Sequence, residues 1–235
     1  MRVDTRLYRR LMLISNSFSH GKGYLEHCAE AIKTFLEDVT TITFIPYALH
    51  DWDEYGKIAR EGFSRFGINV RSVGMHASRQ AIENAEAIFV GGGNTFRLLR
   101  ELYQKDLIGL IRKRVDDGMP YLGASAGANV ACPTIMTTND MPIVFPPSFN
   151  ALDIFPYQIN PHFVDADPAS KHMGETREKR IAEFLEENET MVIGIREGSY
   201  IVVEAGVAKF FGSAGARLFM KGGASTEWTG LLGLW

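Results

Sequence analysis

Tyr121-Leu122-Gly123-Ala124-Ser125-Ala126-Gly127-Ala128-Asn129 reads as a short apolar strand, a turn of small residues and the start of a helix. The same alternation runs outward from it in both directions. Apolar or β-branched runs at Leu11 to Ile14, Thr41 to Pro46, Ile68 to Val73 and Ala87 to Val90 are expected strands. Helical spacing separates them. It runs from Glu26 to Glu37 (Ala29, Ile32, Phe35, Leu36), from Asp53 to Phe66, from Arg79 to Asn84, and from Thr95 to Val115 as one or two helices. Continuously apolar strands alternating with helices imply an α/β fold, with a mostly parallel central sheet covered by helices on both faces. After Gly194 the character changes. Tyr200 to Glu204, Val207 to Phe211 and Leu218 to Lys221, separated by Gly-rich turns, predict antiparallel hairpins at one edge. No repeat or linker interrupts the chain, so one domain is expected over 1–235. The apolar end, Leu231-Leu232-Gly233-Leu234-Trp235, has no partner visible in the sequence.

The chain has 235 residues, 25 Lys plus Arg against 28 Asp plus Glu, and a formal charge of −3. That balance argues against a dedicated nucleic-acid binder, which would need a basic face. Hydrophobic residues at 46% and charged residues at 23% exclude disorder as the main state. The apolar run after Arg2, Arg6, Arg9 and Arg10 is shorter than the ~7–15 residues of a signal-peptide core. No window approaches the ~18 apolar residues of a membrane span. A cytoplasmic location is the default, with no membrane partner. Cys28 and Cys132 are expected to be small buried residues rather than a disulfide framework. No zinc-ligand spacing and no Gly-Lys-Ser/Thr occurs, so neither a metal nor a cofactor is expected.

Two glycine clusters fall just beyond expected strands, where open parallel sheets bind ligands. One is Gly91-Gly92-Gly93-Asn94. The other is the Gly-x-Ser-x-Gly of residues 123–127. In a nucleophile elbow, a serine occupies a strained strand-to-helix turn and the small neighbours let the backbone fold that tightly. Ser125 is therefore the candidate nucleophile. The amides of Ala126 and of Gly92 or Gly93 are the candidate oxyanion donors. A serine hydroxyl needs a base. Among His20, His27, His50, His76, His162 and His172, the best placed is His162, after Gln158-Ile159-Asn160-Pro161, a strand that Pro161 is expected to stop. His172 lies in a polar stretch. The acid that orients the base is either Asp140, in a polar turn, or Glu197, just after an expected strand from Met191 to Ile195; spacing does not choose.

Several stretches together resemble peptidase E. They are Leu-Ile-Ser-Asn-Ser at 13–17, Val-Gly-Gly-Gly-Asn-Thr-Phe at 90–96, the elbow through Asn129, and Ala-Cys-Pro-Thr-Ile at 131–135. Thr-Thr-Asn-Asp-Met-Pro-Ile-Val at 137–144, Gln-Ile-Asn-Pro-His-Phe at 158–163 and Gly-Glu-Thr-Arg at 174–177 complete the set. The resemblance implies a cytoplasmic serine peptidase that removes N-terminal aspartate from dipeptides, on a fold similar to class I glutamine amidotransferases. It implies Ser125 as nucleophile, His162 as base, either Asp140 or Glu197 as acid, and a homodimer with the active site near the subunit interface. It does not extend past about Gly215.

An aspartyl substrate carries a carboxylate and an ammonium. Arg177 is the candidate carboxylate clamp, because a guanidinium binds a carboxylate bidentately. Glu175, or Asp140 if it is not the acid, is the candidate partner of the ammonium. Asn94 is a further candidate contact. The competing account of 174–177 is a helix start capped near Thr176. Rival functions are a serine hydrolase of the same scaffold acting on β-aspartyl or cyanophycin-like peptides, and a binding protein that keeps the elbow only as a pocket. A glutamine amidotransferase would carry cysteine at 125.

Overall fold

The structure, a computed structural model, describes residues 4–74, 78–167, 169 and 174–234. His76 and His172 lie outside the described residues. The first part of the chain alternates as its apolar pattern dictates. It runs β1 (Leu11–Ile14), α1 (Ala29–Leu36), β2 (Thr41–Ile45), α2 (Trp52–Ser64), β3 (Asn69–Ser72), α3 (Ser78–Glu83) and β4 (Ile88–Val90). It continues through α4 (Thr95–Gln104), α5 (Ile108–Asp116), β5 (Tyr121–Ala124) and α6 (Ala126–Asn129). The expected Thr95 to Val115 segment is two helices, parted where Asp106 takes a left-handed φ of 51°. The remainder is β6 (Gln158–Phe163), α7 (Arg177–Glu187), β7 (Val192–Arg196), β8 (Tyr200–Glu204), β9 (Val207–Phe211), β10 (Ala216–Phe219), β11 (Thr226–Glu227) and β12 (Leu231–Gly233).

The main sheet has eight strands in the order β12-β9-β8-β1-β5-β4-β2-β3. From β1 to β3 every pairing is parallel. β8, β9 and β12 form the expected antiparallel edge. β1 shows why the parallel strands are apolar throughout. Leu11 and Leu13 enter a core on one face with α4 and α5, while Met12 and Ile14 enter a second core on the other with α1 and α2. The apolar C-terminal run docks as β12 on β9, and Leu234 is buried.

A second sheet, β11-β10-β7-β6, stands apart from the single sheet that the sequence implies. β6 and β7 run parallel, and β10 joins β7 antiparallel rather than extending the β8–β9 hairpin. One face contributes Ile159, Ile193 and Ile195 to the main core, and α7 covers the other through Ile181 and Leu185 against Phe163 and Phe219. Pro161 does not stop β6. The strand continues through Phe163, and its pairing with β7 shifts register between Asn160 and Phe163. A residue without an N–H is accommodated where the ladder is already interrupted. His162 consequently sits in the irregularity of a strand and not on a strand-end loop, with a left-handed φ of 53°.

Candidate active site

The elbow forms where β5 ends. Ser125 has φ 53° and ψ −110°, a backbone that costs an unbranched residue about 1–3 kcal/mol and survives only under tight packing. The flanking glycines supply that packing. A Cβ on Gly123 would collide with the Gly127 carbonyl, and one on Gly127 with the Val90 carbonyl. The Gly-x-Ser-x-Gly spacing is therefore a pair of backbone-on-backbone contacts that no side chain fits. Hydrogen bonds from Ser125 N to the Ile14 carbonyl (2.9 Å) and from the Tyr121 hydroxyl to the Gly127 carbonyl (2.6 Å) complete the turn.

The triple glycine closes against it from β4. A Cβ on Gly92 would stand 3.1 Å from the Ser125 Cβ and 3.6 Å from its Oγ. Gly93, with φ 131°, instead passes within 2.7 Å (Cβ position) of the Ala48 carbonyl oxygen. Gly92, Gly93, Ser125 and His162 border a cavity of about 280 Å³, completed by Asn16, Ser17, Phe18, Leu49, Tyr55 and Ile58. Its polar groups are few and its wall is largely apolar and aromatic. Behind that wall the Tyr24 and Tyr55 hydroxyls meet at 3.3 Å, and burial pushes the pKa of both tyrosines up.

His162 Nε2 lies 2.9 Å from Ser125 Oγ, and His162 Nδ1 lies 2.6 Å from Glu197 Oε1. An Nδ1–H donating to the carboxylate leaves the Nε2 lone pair to accept from the serine hydroxyl. Glu197 occupies the turn after β7 and is 58% exposed; His162 is 39% exposed. Of the two candidate acids, Glu197 is thus brought to His162. Asp140 is drawn elsewhere. Its Oδ2 accepts from the Thr95 amide (2.7 Å), the Thr95 hydroxyl (2.6 Å) and the Thr138 hydroxyl (3.2 Å), at the start of α4. Asn94 caps the same helix by accepting from Arg97 N, and its amide nitrogen donates to the Met141 carbonyl, so both ends are occupied away from Ser125.

Thr176 is the N-cap of α7, accepting from Lys179 N, and Arg177 is the first residue of that helix. Arg177 is half-buried and has no hydrogen bond or ion pair among the described residues. Burial and the neighbouring Arg180 lower its pKa, and the Asp140 carboxylate acts in the opposite sense. It borders a cavity of about 440 Å³ with Val164, Asp165, Asp167, Glu175 and Arg180, a cavity that shares no lining residue with the one at Ser125. Glu175, just before the N-cap, lies 3.4 Å from Lys179 Nζ and 3.8 Å from Arg180 Nε in the first turn of α7.

The sequence pattern of peptidase family S51 matches residues 11–210. The chain belongs to this family. It is a peptidase, a hydrolase. Among its relatives, a protein of Streptomyces coelicolor named Peptidase E is 50% identical over 218 residues, covering 92% of this chain and 90% of that one. A Drosophila melanogaster protein named Probable alpha-aspartyl dipeptidase is 45% identical over 223 residues, with 93% of each chain covered. Among solved structures, a peptidase from an acI-B1 Actinobacterium superposes with a TM-score of 0.73 at 19% identity over 96% of each chain. A putative Peptidase E protein of Listeria monocytogenes does so with a TM-score of 0.67 at 21% identity, covering 87% of this chain and 98% of that one. At those identities the structural likeness shows the fold alone. No described helix is long and apolar enough to cross a membrane.

Residues of this S51 site that sequence reasoning did not single out are Ser15, Asn16, Ser17, Leu49 and Tyr55. The stretch 13–17 was part of the family resemblance, but nothing in its spacing marks a role. Its proximity to Ser125 arises from the parallel pairing of β1 with β5, Ile14 beside Ala124.

Proposed function

We propose that this chain is a serine dipeptidase that hydrolyses dipeptides with an N-terminal aspartate, Asp-Xaa, through an acyl-enzyme on Ser125. The observation that carries the reading is the unbroken chain Ser125 Oγ–His162–Glu197, with contacts of 2.9 and 2.6 Å. The names of the relatives supply the substrate class.

In this reading Ser125 Oγ attacks the peptide carbonyl while His162 Nε2 takes its proton. Glu197 holds the Nδ1–H tautomer and stabilises the imidazolium. The carbonyl oxygen becomes an oxyanion against the amide of Ala126 and an amide of the Gly92–Gly93 loop. One such donor contributes roughly 10²–10³ in kcat. His162 then protonates the leaving amine of Xaa. Water, deprotonated by His162, attacks the aspartyl ester and aspartate leaves. Arg177, charged and without a hydrogen bond or ion pair among the described residues, is the clamp for the aspartyl carboxylate, and the Asp140 carboxylate favours its charged form. Glu175 and Asn94, each committed to local partners, take no part.

The protein acts as a homodimer in the cytoplasm in this reading. The exposed apolar run Met141, Ile143, Phe145 and Phe149 supports an association face, and Phe145 is 85% exposed. Two free, buried cysteines fit a reducing compartment. The test is hydrolysis of Asp-Leu against Glu-Leu, Asn-Leu and β-Asp-Leu, with Ser125→Ala in parallel and light scattering for mass. Cleavage of Asp-Leu alone, lost in the variant, is expected. Cleavage of β-Asp-Leu in preference moves the activity to isoaspartyl peptides, and no cleavage by folded protein overturns the reading.

A further inference from the structure

The Ser125–His162–Glu197 chain spans two sheets. Ser125 follows β5 of the main sheet, while His162 and Glu197 belong to β6 and to the turn after β7 in the second sheet. A contact of 2.9 Å between Ser125 and His162 is therefore only as precise as the alignment of one sheet on the other. The aligning contacts lie within three consecutive residues at the end of β1. The Ile14 carbonyl accepts from Ser125 N at 2.9 Å. The Ser15 hydroxyl accepts from His162 N at 2.9 Å and donates to the Ile195 carbonyl at 2.8 Å. Asn16 Oδ1 accepts from Gly198 N at 2.7 Å. The nucleophile, the base and the residues on both sides of Glu197 are thus all referenced to one tripeptide.

Ser15 is the residue in it whose side chain reaches the backbone of the base itself. It has no exposed surface, so water cannot take the place of its hydroxyl. A hydroxyl is also the right group. Its single O–H is spent on Ile195 while a lone pair serves His162, so one small group meets a donor and an acceptor at once. The amide it holds is that of a residue with φ 53°, whose ring orientation depends on that backbone staying in place. The ties from Asn129 Nδ2 and Thr137 Oγ1 to the Ile159 carbonyl lie three residues before His162, and Asn139 Nδ2 holds the carbonyl side of the Pro161–His162 peptide (2.7 Å) whose N–H side Ser15 holds.

We propose that Ser15 is a positioning residue for the reaction: its buried hydroxyl, bridging His162 N and the Ile195 carbonyl, sets the base and the turn of Glu197 in register with Ser125. This rests on the triad reading above and goes beyond it. Ser15 touches neither substrate nor reacting atoms.

The experiment compares wild type with Ser15→Ala and Ser15→Cys, the latter of nearly the same shape but with a weak donor and acceptor. Two readouts are taken. One is kcat and KM on Asp-Leu. The other is the tautomer of His162, from ring ¹⁵N shifts read through carbon-bound protons with no substrate present. The expected result is a kcat lowered roughly 10- to 100-fold in Ser15→Ala, as for a sub-ångström to ångström misplacement, with KM within about twofold. Ser15→Cys falls between, and His162 moves from the Nδ1–H tautomer to a mixture in the same order. Wild-type kcat in the variants overturns the proposal. So does a fall in kcat with the tautomer unchanged, which would mark a structural role only. If Ser15→Ala does not fold, Ser15→Cys decides by the same criteria. Failure of wild type to cleave Asp-Leu sinks the substrate reading alone, because the tautomer comparison needs no substrate. A wild-type His162 that is not in the Nδ1–H form sinks both.

Discussion

The ends of β5 and β7 hold their chemical groups by opposite means. At β5, backbone presses on backbone: Gly123 on Gly127, Gly127 on Val90, with every neighbour buried. At β7 the Glu197 turn is largely solvent-facing and is tied by polar side chains. The adjacent Arg196 binds Asp165 through Nε (2.5 Å) and Nη2 (2.9 Å), and Glu227 through Nη1 (2.9 Å) and Nη2 (2.6 Å). That fork links the strand of His162, through Asp165, to β7 and β11. The first region should be sensitive to added volume and indifferent to pH, and the second the reverse.

The largest expected effect removes what the two regions share. Ser125→Ala should lose roughly 10⁴–10⁶ in kcat with the melting temperature little changed, read by peptide hydrolysis and calorimetry. Comparable activity in the variant would detach the elbow from the chemistry. Next, Glu197→Gln should lower kcat about 10²–10⁴-fold with little loss of stability, because an amide can fix the wrong tautomer while keeping the shape. Asp140→Asn should do the converse. It weakens the bonds to Thr95 and costs about 1–2 kcal/mol in urea unfolding, with kcat within tenfold. Reversal of that pattern would make Asp140 the acid.

Volume is tested by Gly127→Ala, whose Cβ meets the Val90 carbonyl with no flexible neighbour to yield. A loss of about 1–3 kcal/mol is expected, independent of pH from 5 to 9. The β7 region is tested by Arg196→Gln. Arg196 lowers the pKa of both Asp165 and Glu227. Carboxylates with a lowered folded pKa contribute stability that is complete above their unfolded pKa near 4 and is lost as pH falls through the folded one. Both acids are largely solvent-exposed, so the variant should lose only about 1 kcal/mol at pH 7. That difference should shrink below pH 4 and in high salt, and a constant difference down to pH 2 would contradict this account. The smallest effect expected is none: iodoacetamide should leave activity intact. Burial pushes the Cys28 thiol up to about 12 and raises Cys132 as well, so neither forms a thiolate at neutral pH.

The same contrast decided what the sequence could reveal. β1, β4 and β5 were legible because burial on both faces writes an unbroken apolar run. The elbow was legible because its close approaches admit only glycine. The second sheet was not. Pro161 reads as a stop until the register shift against β7 is known, and β10 follows the β8–β9 hairpin so closely that it reads as its continuation. The choice between Asp140 and Glu197 was equally hidden, since only the pairing of β6 with β7 carries a residue 35 positions away to His162. Ser15 was invisible as a function because a buried serine at a strand end carries no local signal.

The left-handed backbone at residue 125 has a consequence for descent as well as for chemistry. A branched Cβ is excluded at φ 53°, so threonine is barred, and cysteine is the one other small nucleophile that the turn accepts. Serine and cysteine codons lie a single nucleotide apart. A lineage carrying this elbow can exchange hydroxyl for thiol chemistry in one step with the main chain untouched, and the rest of the site then only has to adapt to a softer atom.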